Sequence, residues 1–312
     1  MKKEELFFES RDNQSRIHAV RYTPDDGNVI GVVQIIHGMA EYVERYEAFA
    51  QFLTDRGFAV TGEDHLGHGG SVGENGYGYF CKQDSATVVV RDVHRLKKMT
   101  QQIYPSVPYI ILGHSMGSFI LRNYLCRYGT GISGAIIMGT GMQPGLTLAA
   151  AKAMAAVNKV IFGDKHVSRF LNRLAFGNYN KRFAPARTDK DWLSRDTAIV
   201  DRYVEDPKSG FIFTVNGFRT LFELIDRSQQ PQNLKNIPSE LPVMVVSGEE
   251  DPVGAYGDGV RKTVKALEAA GMKRLSLKLY PTDRHEVLNE LDRDKVMGDI
   301  ACWINENVMQ AK

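Results

Sequence analysis

Tyr109-Ile110-Ile111-Leu112-Gly113-His114-Ser115-Met116-Gly117-Ser118 is the stretch whose reading decides how this chain folds. Tyr109 to Leu112 is short, apolar and rich in β-branched residues, which suits a strand buried in a parallel sheet, and Phe119 to Tyr128 predicts a helix. Strand, sharp turn and helix therefore meet at Ser115. A serine on such a turn has a strained backbone, and Gly113 and Gly117 remove two Cβ atoms that would collide with the crossing strand or helix. G-x-S-x-G also occurs as an ordinary Gly-Ser turn, so its reading as a nucleophile elbow depends on the rest of the chain.

Three companions are required, each at a definite place. Val32-Val33-Gln34-Ile35-Ile36 is an earlier strand that runs into His37-Gly38-Met39-Ala40-Glu41. A small residue at Gly38 lets that loop fold over the elbow, so the backbone N–H groups of Met39 and Met116 are the candidate oxyanion hole. Leu241 to Val246 is a late strand followed by Ser247-Gly248-Glu249-Glu250-Asp251-Pro252-Val253, which supplies an acid, Asp251. A serine elbow is followed in the chain by its acid and then by its histidine, and of eight histidines only His285 lies beyond Asp251. Asp283 and Glu286 are rival partners for His285. They are its close neighbours in sequence, whereas a triad acid approaches Nδ1 from another loop, which favours Asp251.

His37-Gly38-Met39-Ala40-Glu41, Asp64-His65-Leu66-Gly67-His68-Gly69, Gly113-His114-Ser115-Met116-Gly117 and Gly248-Glu249-Glu250-Asp251-Pro252-Val253 together resemble the monoacylglycerol lipase and lysophospholipase family of serine hydrolases. The likeness runs from about Glu4 to Ile304. In the middle, Arg187-Thr188-Asp189-Lys190-Asp191-Trp192-Leu193-Ser194-Arg195-Asp196 and Asp206-Pro207 resemble the bacterial lysophospholipase branch more than the eukaryotic monoglyceride lipases. The chain departs from the family pattern at Ser118, usually a second glycine, and at Tyr42, commonly a histidine. The resemblance implies an α/β-hydrolase fold: a mostly parallel eight-stranded sheet, helices on both faces, and an inserted, mainly helical cap. It also implies that the Asp64 to Ser71 loop braces the floor of the site. Metal binding there is disfavoured, because the two histidines are three apart on a glycine-rich loop and serine chemistry needs no metal.

The rest of the chain is consistent with that architecture. Its 312 residues are 43% hydrophobic, enough for a large α/β core with an insertion. Lys plus Arg number 39 against 37 Asp plus Glu, a net charge of +2 that offers no nucleic-acid or polyanion surface. Cys81, Cys126 and Cys302 have no zinc or redox spacing and read as free thiols. Leu6-Phe7-Phe8 is too short for a signal-peptide core, and no run of about eighteen apolar residues is seen, so a cytoplasmic chain without a transmembrane helix is expected. Glu4 to Ser10 and Arg16 to Thr23 alternate in polarity and predict an edge hairpin.

After the strand Ala135 to Met138 the strand–helix alternation stops, and it resumes only at Leu241. The expected division is a core of residues 1–140 and 236–312 and a cap of 141–235. Eight of fifteen phenylalanines (Phe162, Phe170, Phe176, Phe183, Phe211, Phe213, Phe218, Phe222) fall in the cap. Most pack the subdomain itself, and the surplus is expected to roof an acyl pocket. Arg187, Arg195 and Arg202 are expected to pair with Asp189, Asp191, Asp196 and Asp201 rather than to bind phosphate. Replacing Gly141 to Lys235 by a short Gly/Ser linker, if the core survives it, is expected to erase the acyl-length dependence and to keep some activity on acetate esters.

The expected activity is hydrolysis of monoacylglycerol or lysophospholipid esters through an acyl-enzyme on Ser115, with no cofactor and with transient cap contact to lipid surfaces. A short-chain carboxylesterase, a thioesterase or an aminopeptidase would use the same residues. An α/β-hydrolase that binds a ligand without turnover is the alternative of another class.

Overall fold

Lys2–Glu9 (β1) and Arg16–Thr23 (β2) pair antiparallel, with Leu6 opposite Ala19, and β2 pairs antiparallel with Phe58–Glu63 (β4). From there the sheet is parallel: Gly31–Ile36 (β3), Tyr109–His114 (β5), Gly134–Met138 (β6), Val243–Gly248 (β7) and Leu275–Tyr280 (β8) complete the order β1-β2-β4-β3-β5-β6-β7-β8. This computed structural model describes residues 1–310.

The apolar runs of the inner strands feed two cores, because successive side chains point to opposite faces. Val32, Ile36, Ile111, Ile137 and Val245 join one cluster, and Val33, Ile35, Ile110, Leu112, Ile136 and Val246 the other. Glu47–Thr54 (α1) packs on the second face through Phe49, Ala50 and Leu53. Ser85–Ile103 (α2) and Met116–Tyr128 (α3) cover the first. Gly145–Phe162 (α4), Arg169–Phe176 (α5), Thr197–Glu205 (α6), Val215–Ser228 (α7) and Pro231–Leu234 (α8) form the insertion between β6 and β7. Asp258–Ala269 (α9) returns to the first face, and Arg293–Ile304 (α10) closes the second. Among the described residues the insertion contains no strand, only the isolated bridge Val167 to Thr214.

The insertion is less separable than its sequence suggests. Phe213, Val215, Phe218, Leu221, Phe222 and Leu224 all join the sheet's first core cluster, and α7 packs on α2 and α3. Cutting out 141–235 would therefore also remove α7 from its packing on α2 and α3. The phenylalanines divide accordingly. Phe213, Phe218 and Phe222 are buried core, Phe162 and Phe170 face outward, and the Arg284 guanidinium lies 4.2 Å from the Phe183 ring centre. Only Phe176 and Phe211 line the cleft described below. Arg187 pairs with Asp201, as expected, and Arg202 stands in the last turn of α6, where a cation favours the helix dipole. Arg195 pairs instead with Asp283, Glu290 and Asp292. The helix α4 is long and apolar enough, by length and composition, to cross a membrane, although Lys152 and Lys159 interrupt its apolar run. It lies along the insertion, burying only Leu148, Ala155 and Asn158.

At the end of β4, Glu63 is fully buried, with one carboxyl oxygen unpartnered and the other 3.4 Å from Gln34 Nε2. Burial, reinforced by nearby Asp92, raises its pKa well above the carboxylate range. A folded-state pKa above the unfolded value gives stability that is full below the unfolded pKa and lost as pH rises. Glu63→Gln should therefore raise Tm at pH 8 by roughly 2 °C or more, a gain that shrinks toward pH 5. Thermal unfolding curves that run parallel for the two proteins from pH 5 to 8 would contradict this.

Candidate active site

Ser115 has φ 55° and ψ −120°, at the junction of β5 and α3. Its N–H donates to Met138 O on the neighbouring strand at 3.0 Å. The flanking glycines are required by space: a Cβ on Gly113 would lie 2.3 Å from Gly117 O, and one on Gly117 would lie 2.0 Å from Ile36 O. The turn thus presses against the end of β3, which brings the following loop over the serine. A Cβ on Gly38 would come within 3.0 Å of Ser115 Cβ. Met39 and Met116 both line the cleft at Ser115. Met116 is the first residue of α3, so its N–H is one of those a helix leaves free. Among the described residues neither the Met39 nor the Met116 N–H donates to a protein acceptor.

β7 and β8 bring the other two groups from separate loops. His285 Nδ1–H donates to Asp251 Oδ2 at 3.0 Å. Asp251 is fully buried and also accepts from Val253 N at 2.8 Å and Ser247 Oγ at 3.2 Å, which fixes its carboxylate. Ser115 and His285 line the same cleft. The rival acids are engaged elsewhere: Asp283 with Arg195, and Glu286 with both guanidinium nitrogens of Arg45 at 2.8 Å.

Beneath the Gly38 loop lies a charged network that the sequence reading did not identify. Glu41 Oε1 accepts from the backbone N–H of Gly38 and from the Tyr46 hydroxyl at 2.9 Å, while Oε2 pairs with Arg45 at 2.6 Å. His114, next to the serine, lies 3.4 Å from Glu41 through Nδ1 and donates through Nε2 to the carbonyl of His285 at 3.2 Å. Burial opposes charge on Glu41, but His114 and Arg45 hold its carboxyl well below the usual range, and Glu41 in turn raises His114 against its own burial. One ion network therefore ties the Gly38 loop, the strand β5 that leads to Ser115 and the His285 loop together.

The histidines of the floor loop act differently. Asp64 accepts from His18 Nδ1 at 2.8 Å, from Val43 N at 2.8 Å and from Gly70 N at 2.7 Å. His37 uses both ring nitrogens, donating to Gly38 O and accepting from His65 N. His65 donates to His37 O and His68 to Leu66 O, and burial lowers the pKa of all three rings. Among the described residues, the trio whose ligand atoms lie within 4.8 Å of one another is Asp283, Glu290 and Asp292. The guanidinium of Arg195 occupies that cluster as its cation.

The cleft has a volume of about 850 Å³ including its open mouth. Its walls are mostly apolar: Phe119, Phe176, Trp192, Leu193, Phe211, Leu221, Ile225 and Val253, with Lys190, Tyr203, Gln143 and Asn172 as polar points. Ser118 and Tyr42, the two departures, are both accounted for locally. Ser118 Oγ donates to Ser115 O at 2.6 Å, and the Tyr42 hydroxyl, its pKa pushed up to about 12 by burial and by bonding to Asp206, sits outside the cleft lining.

Residues 27–292 match the family described as serine aminopeptidase, S33. The chain is 30% identical over 283 residues to the monoacylglycerol lipase of Mycolicibacterium smegmatis, covering 91% of this chain and 90% of that one. It is 26% identical to the monoglyceride lipase of Rattus norvegicus, over 93% of this chain and 88% of the other. Among solved structures, a thermostable carboxyl esterase from Bacillus coagulans in complex with glycerol superposes with a TM-score of 0.91 at 29% identity, covering 99% of both chains.

Proposed function

The chain belongs to the serine aminopeptidase S33 family, alongside monoacylglycerol lipases, and from this we propose that it is a serine hydrolase cleaving carboxylic esters of single-chain lipids. The observation that carries the reading is a buried Asp251–His285 pair facing the same apolar cleft as a strained Ser115. Ser115 Oγ attacks the ester carbonyl as His285 takes its proton, and Asp251 holds the imidazole tautomer and stabilises the imidazolium. The N–H groups of Met39 and Met116 receive the negative charge that develops on the carbonyl oxygen. The tetrahedral intermediate expels the alcohol, which takes the proton from His285. Water then attacks the acyl-enzyme by the same route and releases the acid and Ser115.

Peptide-bond chemistry at a free N-terminus is less well supported. An aminopeptidase needs a carboxylate for the substrate's ammonium, and the two in the cleft, Glu41 and Glu286, are already paired with Arg45. Thioesters and short esters would fit the same catalytic groups but leave the apolar walls unused. A non-catalytic ligand binder has no need of a hydrogen-bonded acid–histidine pair beside a strained serine. The cap comprises the insertion up to about residue 214, with α7 as its base on the core.

Ser115→Ala and His285→Ala should each lower kcat roughly 10⁴ to 10⁶-fold, and Asp251→Asn about 10⁴-fold by favouring the wrong tautomer. Near-normal turnover in Asp251→Asn would remove it from the reaction.

If the apolar walls hold the acyl chain, each further buried CH₂ adds up to about 0.8 kcal/mol, a factor of about four in kcat/KM, until the cleft is full. A monoacyl substrate should exceed its triacyl analogue by at least about tenfold, or 1.4 kcal/mol, because two more chains have no place in the cleft. A profile flat from about two to sixteen carbons would leave a general esterase, since no such gain per CH₂ would then be realised.

The outer face of α4 and α5 exposes Leu146, Val157, Val160, Ile161, Phe162 and Phe170, with Leu146 at 89% and Val160 at 86% of full exposure. We assign this face to contact with lipid surfaces, because single exposed apolar side chains are common on proteins, whereas six large ones stand exposed on these two packed helices. Leu146→Ser/Val160→Ser should reduce kcat/KM on vesicle-borne monoacylglycerol by at least about a hundredfold, given about 1.5–3 kcal/mol for each of the two inserted side chains. Hydrolysis of a dissolved acetate ester should be unchanged. An equal loss on both substrates, or no loss on vesicles, would contradict the assignment.

A further inference from the structure

Asp191-Trp192-Leu193-Ser194-Arg195-Asp196, marked in the sequence only by family resemblance, takes part in none of the steps above. Its place is nevertheless specific. The segment runs alongside the histidine loop and is bonded to it at every turn. Trp192 O accepts from His285 N at 3.4 Å, and Leu193 O from Glu286 N at 2.8 Å. Ser194 O accepts from the Arg284 guanidinium at 3.1 Å, and Ser194 Oγ donates to Asn289 O at 2.9 Å. Asp191 O is a second acceptor for Arg284.

Arg195 completes the seam. Its guanidinium reaches Asp283 Oδ1 at 2.6 Å, Glu290 Oε2 at 3.0 Å and Asp292, while its own N–H donates to Glu290 Oε1 at 3.0 Å. Glu290, fully buried, accepts from the loop as well, through Arg284 N at 2.9 Å. The three carboxylates flank His285 in sequence, one on the N-terminal side and two beyond it. The Trp192 ring stands 5.1 Å from the imidazole, centre to centre, in the same cleft.

We propose that the 191–195 strap of the cap is a positioning element for the catalytic histidine, with Arg195 as its principal positioning residue. The proposal rests on the assignment of His285 as general base. The backbone N–H groups of residues 285 and 286 both donate to the strap, while their carbonyls accept from His114 Nε2 and Asn289 N. Asp251 fixes one end of the imidazole, but the direction in which Nε2 points toward Ser115 also depends on where the loop backbone sits. A displacement of about 1 Å of a reacting group can cost about 10²-fold in rate. Arg195 suits the task because a planar guanidinium holds several carboxylate oxygens at fixed angles, and a lysine ammonium in its place keeps the charge without that geometry. The cap is then a part of the catalytic apparatus as well as the cover of the cleft.

Arg195→Lys and Glu290→Gln test this with a long-chain monoacylglycerol and with a fluorophosphonate probe. The expected result is a kcat lower by about ten- to a hundredfold with KM within about twofold, and an equally slower fluorophosphonate labelling of Ser115. The Arg195→Lys protein should remain folded, with Tm within a few degrees of the parent. An additional Trp192→Phe protein should keep more of its kcat than either, because its backbone carbonyl still receives His285 N. A folded Arg195→Lys protein with parental kcat and labelling rate would overturn the proposal, and so would a change confined to KM. If the parent itself fails to react with the probe, the assignment of Ser115 and His285 fails instead, which separates the two outcomes.

Discussion

The backbone of Ser115, held at a positive φ between two residues that can only be glycine, is the constraint from which the arrangement of the site follows. Pressing Gly117 against Ile36 O fixes the distance between the elbow and the end of β3, so the next loop must cross over the serine. Starting α3 at Met116 leaves that residue's N–H free and aligned with the positive end of a helix dipole. The proposed nucleophile, one proposed oxyanion donor and the approach of the second are all consequences of one tight turn. The strain at such a turn costs of order 1–3 kcal/mol, and it persists only where the surrounding sheet over-determines it. Here β3 and β6 flank β5 on both sides.

A second layer of order is electrostatic. Glu41, Arg45, His114 and Glu286 are drawn from the oxyanion loop, the helix that follows it, the elbow strand and the histidine loop. Buried ion networks contribute little net stability against well-packed apolar groups, but removing one partner leaves an uncompensated charge at a cost of about 3–5 kcal/mol. Their effect in this protein is geometric: four segments that need not move together are tied to one another. The Arg195 cluster repeats the arrangement on the other side of His285, with the cap supplying the cation.

Much of this was legible in the sequence, for a physical reason. The strands and the elbow are local patterns: a β-branched run ends in a turn whose glycines follow from steric contact over a few residues. The family resemblance carried the eight-stranded α/β-hydrolase architecture, which the sheet order matches. What was not legible depends on contacts across long stretches of chain. Arg45 and Glu286 are 241 residues apart, and Arg195 and Asp283 are 88 apart. Each looks like an ordinary surface charge until the fold brings it to its partner. The role of α7 was missed for a related reason. Its phenylalanines are spaced as in any amphipathic helix, and the pattern does not say whether the apolar face meets the cap or the core helices α2 and α3. The same ambiguity leaves the inner boundary of the cap open in the sequence.

The central claim is that Ser115 is the residue that becomes acylated, inside a cleft that accepts one long chain. Reaction of the protein with a long-chain alkyl fluorophosphonate, followed by digestion and mass mapping, tests it most directly. A single adduct on the peptide containing Ser115 is expected, with its formation slowed by an excess of long-chain monoacylglycerol. An adduct on another residue, or a Ser115 adduct that the monoacylglycerol does not slow, would contradict it.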